Sequence, residues 1–363
     1  MNYYIYGTGS GANELFYELS KYKYVKIIGF LDSYKENIEF NGKMVFSPLK
    51  IELKKDEKIL VCGTYCNEIA DYLSNIGFKT EENYYVLPTI QKTLRNFNEL
   101  KMKLSILKKY KEINLVTLKS LLSKKKTSKL FILGSGPSIN KLDSYHWEYI
   151  KRFDSWGCNH WNMHPFTPTY NTTEFSYIVN TVPNIFKINN LKDIDLDFIK
   201  DIFRLQEEDL KNIPDKKLNV LMNIEIDAVS KESYFHLMKF IKELNVNLKN
   251  TFFSYISSVV TIYELAILMG YEEIIFCGVD LNNSKYFYED YKQSDKYEVP
   301  FNANKDEYHL TSALNSPIYG THEMINLLSE IYSNKKIQTF VGTKGSLLNE
   351  YFSEYEWRVK NER

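Results

Sequence analysis

Read from the N-terminus, apolar residues come in short runs that stop at glycine and give way to stretches with helical spacing. "YYIY" at 3–6 is a strand pattern, ended by Gly7-Thr8-Gly9-Ser10-Gly11, with a helix expected from Ala12 to about Lys21. "VKIIGFLDS" at 25–33, "KILVCGTY" at 58–65 and "YYVLP" at 84–88 read as further buried strands, and "CNEIADYLSNIGF" as a helix. This alternation predicts a small parallel α/β unit over 1–89. Residues 90–128 carry no strand signal; apolar positions at helical spacing and a basic exposed face predict one or two connecting helices. The rhythm restarts at 129. Strands are expected at "KLFIL", 153–161, 175–183, 218–225, 272–281 and 335–342, and helices at 258–271 and 321–334. Residues 282–317 are polar, tyrosine-rich and irregular, and "SEYEWRVKNER" at the end reads as a charged helix or tail.

The expected architecture is α/β, with two Rossmann-like parallel-sheet domains, 1–89 and 129–363, joined by a helical connector at 90–128. A length of 363 residues suits two such domains. Lysine plus arginine equals aspartate plus glutamate at 46 each, so no general attraction to nucleic acid is expected, and a basic face at 90–128 leaves contact with anionic lipid headgroups open. The tyrosines and phenylalanines (29 and 22) reflect codon bias more than carbohydrate stacking. Cys62, Cys66, Cys158 and Cys277 lack disulfide or zinc-finger spacing and read as reduced, buried thiols. The first residues already form a strand pattern and no apolar run approaches ~18 residues, so neither a signal peptide nor a membrane span is expected, and a cytoplasmic location follows.

Two glycine turns carry the candidate chemistry. Gly7-x-Gly9-x-Gly11, with Asp32 some 20 residues on, outlines a dinucleotide-type βα unit and a candidate second nucleotide site. Ala12 stands where the full motif has its last glycine. Gly134-Ser135-Gly136-Pro137-Ser138 is followed by no Lys-Ser/Thr, which excludes a Walker A loop; its backbone is expected to approach a phosphate. Other polar residues fall at strand and helix ends: Asn159, Ser257, Ser258, Asp280, Tyr286 and His322. His309, in "DEYHLTS", competes with His322 as a general base; His146, His160, His164 and His236 read as surface or packing residues.

The order "IYGTGSGANEL…IIGFLDS…ILVCGTYCNEIADYL" resembles the N-terminal subdomain of bacterial sugar O-acyltransferases, which binds a nucleotide-sugar, over residues 1 to 88. Their hexapeptide repeats are absent, so acyl transfer is not implied. The order "ILGSGPSINKLD…CNHWN…YIVNTVP…YISSVVTIYELAILMGYEEIIFCGVDL…YGTH…GSLLNEYF" resembles the bacterial CMP-sialic-acid-dependent sialyltransferases of glycosyltransferase family 42, and related motility-accessory proteins, over 129–352.

The second resemblance implies a GT-A-like catalytic domain and assigns CMP binding to Gly134, Ser135, Gly136, Ser138, Asn159 and Asn180, with Ser257 and Ser258 beside the nucleotide. Asp280 binds ribose or organises its loop. The resemblance makes His322, in Tyr319-Gly-Thr-His322, the general base, and Tyr286 a stabiliser of the leaving phosphate. The second phosphate tyrosine of the family falls on Asn282, and an arginine of the family is Tyr255 here. Those departures leave other CMP-activated acidic sugars (Kdo, legionaminic or pseudaminic acid) as compatible as sialic acid. The function implied is an inverting transferase with no cofactor and no metal. It would move a nonulosonic acid from a CMP donor to a glycan or glycolipid acceptor in lipopolysaccharide or capsule biosynthesis. A homo-oligomer and peripheral contact with the inner membrane are expected. Two other readings stay open: an ATP- and magnesium-dependent pyrophosphokinase of the pterin diphosphokinase type, and a non-catalytic nucleotide-sugar-binding protein.

Overall fold

In a computed structural model the described residues are 2–174, 197–200, 217–226, 230–244, 251–255, 257–290, 308–314 and 319–357. The chain divides into two units. One comprises Met1–Asn98 with Ile226–Leu248, the other Glu99–Glu225 with Lys249–Arg363.

The first unit is built on a six-stranded sheet. Its strands are β1 (Asn2–Tyr6), β2 (Lys26–Leu31), β3 (Glu39–Phe40), β4 (Lys43–Phe46), β5 (Glu57–Val61) and β6 (Tyr84–Val86), in the spatial order β3-β4-β2-β1-β5-β6. All pair in parallel except β3 with β4. Helices α1 (Ser10–Ser20) and α2 (Cys66–Asn75) supply the crossovers β1–α1–β2 and β5–α2–β6 that parallel pairing requires. Tyr3, Ile5, Phe30, Leu31, Ile59, Leu60 and Val61 are buried, as expected of strands covered on both faces.

The sequence pattern did not anticipate that a helix from the distant segment 226–248 completes this unit. His236 on that helix, Lys231–Glu243, accepts a hydrogen bond at Nδ1 from the backbone N–H of Val86 at 2.9 Å. The hydroxyls of Tyr3 and Tyr85 donate to the Glu243 carboxylate at 2.9 and 2.6 Å. The difference from the linear boundaries has a physical cause: the helix is amphipathic, and periodicity reports an apolar face without naming what it faces.

The residues read as a connector also hold more than helix. Helix α3 (Ile90–Tyr110) is followed by a strand, β7 (Ile113–Leu115), and then by α4 (Leu118–Leu122). β7 is too short to give a period-2 signal, and pairs in parallel with β12 (Leu218–Val220). It forms one edge of the second unit's sheet.

That sheet has eight strands in the order β16-β15-β8-β9-β10-β11-β12-β7, and every pair is parallel. Here β8 is Lys129–Leu133, β9 Asp154–Cys158, β10 Tyr170–Glu174, β11 Asp197–Lys200, β15 Glu273–Cys277 and β16 Gln338–Val341. Helix α5 (Ser144–Ile150) links β8 to β9, and Asp143 caps it by accepting from the His146 N–H. A separate parallel pair joins β13 (Met222–Glu225) to β14 (Thr251–Ser254), on either side of α6, the Lys231–Glu243 helix of the first unit. Helices α7 (Ser258–Leu268) and α8 (Thr321–Ile331) complete the described elements of eight residues or more. The strand expected at 175–183 lies outside the described residues; β10 ends just before it.

Strand order reverses between β8 and β15. The chain runs from β8 outward through β9 and β10, while β15 and β16 lie on the other side. In open parallel sheets the crevice at the carboxyl ends of such a strand pair is where ligands bind. Of the C-terminal segment read as a charged helix or tail, the described part, up to Trp357, is instead tied to this unit. Glu354 bridges to Val341, and the Trp357 ring stacks on Phe131 at 5.7 Å with Tyr355 edge-on to both. Its charges misled the reading, because Tyr355 and Trp357 stand among them as packing aromatics.

Candidate active site

The glycine turn after β8 has a local cause that is not a phosphate. A Cβ at Gly134 would lie 2.5 Å from the Gly278 carbonyl oxygen, and one at Gly136 2.5 Å from Asp280 Oδ2. Gly278 itself takes φ +68°, a left-handed backbone that glycine adopts without strain. The turns after β8 and β15 therefore interlock, with the Gly134 N–H bonded to Cys277 O at 2.8 Å and the Gly136 N–H to Gly278 O at 2.7 Å. The Asp280 carboxylate closes the junction by accepting from the Ser138 N–H at 2.9 Å and from the Ser138 hydroxyl. Burial raises the carboxyl's pKa and those hydrogen bonds oppose the rise. Asp280 thus ties the two turns together while also lining the cavity above them.

Above this junction lies a cavity of about 390 Å³, within the usual ~300–1,000 Å³ of small-molecule sites. Gly134, Ser135, Gly136, Asn159, Ser257, Ser258, Asp280, Tyr286 and His309 all line it, drawn from five separate stretches of sequence. Asn159 ends β9 with φ +53°, and its Oδ1 accepts from the Glu174 N–H at 3.2 Å. Helix α7 points its N-terminus here through Ser257, Ser258 and Val259. It has no side-chain cap and no acidic residue in its first turn. Its first backbone N–H groups can therefore serve an anion. The Ser257 hydroxyl oxygen is buried with no hydrogen-bond partner among the described residues.

His309 is held on three sides. Its N–H donates to Leu281 O at 3.0 Å, its Nδ1 accepts from the Thr311 N–H at 3.2 Å and lies 2.9 Å from the Thr311 hydroxyl, and its Nε2 is 3.2 Å from the Tyr286 hydroxyl. Burial lowers its pKa below the ordinary 6.5, so the imidazole is neutral at neutral pH. Tyr286 is stacked on Tyr288 at 5.2 Å and 10°, and its N–H donates to Glu289 at 2.8 Å.

Other residues named from the sequence stand apart from the cavity lining. The Ser138 groups are occupied by Asp280, and the Asn282 amide donates to Gly345 O at 2.5 Å. Tyr319 and His322 are absent from the lining, although their neighbour Thr321 contributes to it. His322 is buried at the start of α8, with Nδ1 unpartnered among the described residues. Asn180 lies outside the described residues. In the first unit, Asp32 is engaged by the Thr8 hydroxyl at 2.8 Å and by the N–H groups of Tyr34 and Lys35. A Cβ on Gly7 or Gly9 would meet nothing within 4 Å.

The sequence reading missed five polar residues of the cavity: Glu174, Asn283, Lys285, Thr311 and Thr321. Glu174 accepts from the Ser258 hydroxyl at 2.5 Å. It escaped notice because β10, the strand it ends, is polar (YNTTE) and gave no strand pattern. Thr311 carried a usable signal, since a threonine two residues after a histidine is placed to bond its ring. Among the described residues no three His, Cys, Asp or Glu side chains gather as a metal-binding group.

No protein-family model and no curated protein matches the chain. Among solved structures it is similar to the sialyltransferase CstII from Campylobacter jejuni in complex with the substrate analogue CMP-3FNeuAc, at 16% identity and TM-score 0.36 over 63% of this chain and 87% of that one. It is also similar to the monofunctional alpha-2,3-sialyltransferase Cst-I from Campylobacter jejuni, at 17% identity and TM-score 0.38 over 62% and 79% of the two chains. A third match is the sialyltransferase CST-II in complex with trisaccharide acceptor and CMP, at 17% identity and TM-score 0.36 over 63% and 86%. Likeness of this degree leaves the functional argument with the cavity and the sequence motifs.

Proposed function

We propose that the second unit is a glycosyltransferase that moves an acidic keto-sugar from a CMP-activated donor to a glycan or glycolipid hydroxyl, with inversion. The observation that carries this reading is the convergence of His309, Tyr286, Lys285 and the open end of α7 on one cavity at the strand-order reversal. The motif order supports the same class, with a GT-A-like catalytic domain.

The chemistry follows from the groups present. The acceptor hydroxyl's proton passes to His309 Nε2 as its oxygen attacks the anomeric carbon. The bond to the phosphate oxygen breaks and CMP leaves with the electron pair. The Tyr286 hydroxyl, Lys285 and the α7 amides offset the charge gathering on that phosphate, so a divalent cation is not required. His309 takes the role of base in preference to His322 because it lines the cavity. The first unit is an accessory domain. A homo-oligomer acting at the cytoplasmic face of the membrane fits a lipid-linked acceptor.

The test is a thermal-shift panel of CMP, CDP, UMP, UDP, AMP, ATP and NAD, each with and without magnesium. A ligand at 100 times its Kd adds ~2.7 kcal/mol and raises Tm clearly. A metal-independent shift with CMP or CDP, together with slow release of CMP from a CMP-activated sugar, is expected. A shift with ATP and magnesium alone would replace this reading with the pyrophosphokinase. CMP binding without donor turnover would replace it with a binding protein.

A further inference from the structure

Two partners compete for His309 Nδ1, and both belong to Thr311. The Thr311 backbone N–H reaches it at 3.2 Å and can only donate, which requires a bare Nδ1 and puts the ring proton on Nε2. The Thr311 hydroxyl stands 2.9 Å from the same nitrogen and can either donate or accept. With the proton on Nε2, that nitrogen donates toward the Tyr286 hydroxyl 3.2 Å away and cannot take a proton from an acceptor. A base at Nε2 therefore needs the other tautomer, with Nδ1–H held by an acceptor. Among the described residues, the Thr311 hydroxyl is the acceptor within hydrogen-bond distance of Nδ1.

On this basis, and resting on the transferase reading above, we propose that the Thr311 hydroxyl is a positioning residue that makes His309 a base. In the acting tautomer the ring turns Nδ1–H off the Thr311 N–H and onto the Thr311 hydroxyl, which accepts it, opens Nε2 to the acceptor hydroxyl, and holds Nδ1–H in the imidazolium that forms. The logic is that of any base oriented by a third group behind it. Here the third group is neutral, which suits a buried imidazole that must return to its uncharged form. Thr321 keeps Thr311 in place, since its hydroxyl donates to Thr311 O at 3.0 Å. Other ionisable groups do not share the task. Asp280 is bound to Ser138, and Tyr286 faces Nε2; Glu174 and Lys285 line the same cavity, and burial alone accounts for the low pKa of His309.

Thr311→Val keeps the shape and the backbone N–H but removes the acceptor. With CMP-activated sialic acid as the donor probe, kcat should fall about tenfold or more, in the lower range of what orienting groups contribute, while KM for the donor stays unchanged. The acid limb of the pH–rate profile should move to lower pH, because the imidazolium loses its support. Thr311→Ser should restore both. A readout independent of turnover is the ¹⁵N spectrum of the histidine rings in the full chain saturated with CMP, assigned with His309→Ala. Protonated Nδ1 should be populated in the wild type and lost in Thr311→Val. Unchanged kcat and pH limb in a folded Thr311→Val, or the same ring spectrum in both proteins, would overturn the proposal. An active His309→Ala would instead overturn the assignment of the base on which it rests.

Discussion

At the scale of single residues, the glycine turn at 134–136 has a stricter requirement than phosphate approach. Gly136 has an ordinary φ, so its constraint is steric: a methyl group would collide with the Asp280 carboxylate. Gly136→Ala should cost about 1–3 kcal/mol, as overpacking does, and should weaken the CMP-induced shift because both walls of the cavity hang on this junction. Urea unfolding with and without CMP measures both effects. The two histidines separate as cleanly. His309→Ala should lower turnover about 100-fold, within the usual worth of a general base, with CMP affinity kept. His322→Ala should lower Tm and leave turnover near that of the wild type, because the ring is buried in α8 packing. The base must be neutral to act, and burial lowers its pKa below 6.5, so the rate should stay flat as pH falls through 6.5 and drop only below it. A limb centred above pH 6.5 would contradict the buried His309 as base. Most of these residues were legible as polar groups at strand and helix ends. Their division between cavity and scaffold was not, because sequence cannot tell which side chains spend their hydrogen bonds on one another, as Asp280 and Ser138 do.

At the scale of elements, the strands with continuous apolar runs were the legible ones. β1, β2, β5, β8 and β15 carry these runs; the reading met the ends of β1, β2 and β8 within two residues but ran four residues past the ends of β5 and β15, into the turns that follow them. β7 and β10 were missed for a common reason: each is short or polar, and parallel pairing supplies what its own composition does not. The docking of α6 was beyond pattern altogether, since it depends on two polar anchors, the buried His236 and the part-buried Glu243. Glu243→Gln would replace the carboxylate that receives Tyr3 and Tyr85. Hydrogen bonds to charged groups contribute about 1.5–3 kcal/mol, so faster hydrogen exchange across α6 and β6 is expected, with the second unit unaffected. The His236 anchor works the same way with pH. Burial lowers its pKa, so the unfolded ring takes a proton near 6.5 while the folded one resists. Its contribution is complete above pH 6.5 and is lost as pH falls through the lowered value. Exchange in α6 should therefore accelerate on acidification from pH 7.5 to 5.5, and a pH-independent rate would remove His236 from the account.

At the scale of the whole molecule, the chain enters the first unit twice, once at its start and again through 226–248. Two parallel α/β sheets were legible from the repeated strand, glycine turn and helix, but a linear boundary could not express this return. Charge is likewise uneven in a chain whose total is zero. Between 99 and 126 stand nine lysines and two glutamates. Among the described residues Lys103, Lys108, Lys109, Lys119, Lys124 and Lys126 have no carboxylate partner, whereas Lys125 is tied to the carbonyls of Met269 and Gly270. Met102, Tyr110 and Leu122 are exposed among them at 52, 62 and 45%. No described helix is long and apolar enough to cross a membrane. Basic side chains interleaved with exposed apolar ones fit an anionic bilayer surface, where each lysine contributes about 1 kcal/mol near the headgroups. The chain should therefore co-sediment with vesicles containing phosphatidylglycerol, lose that binding in high salt, and ignore pure phosphatidylcholine. Lys108→Glu, Lys109→Glu and Lys124→Glu together should release it while preserving turnover on a water-soluble acceptor. Equal sedimentation of the triple variant and the wild type would mean that this face serves only to keep the β7 edge solvated, and that a lipid-linked acceptor must be reached in some other way.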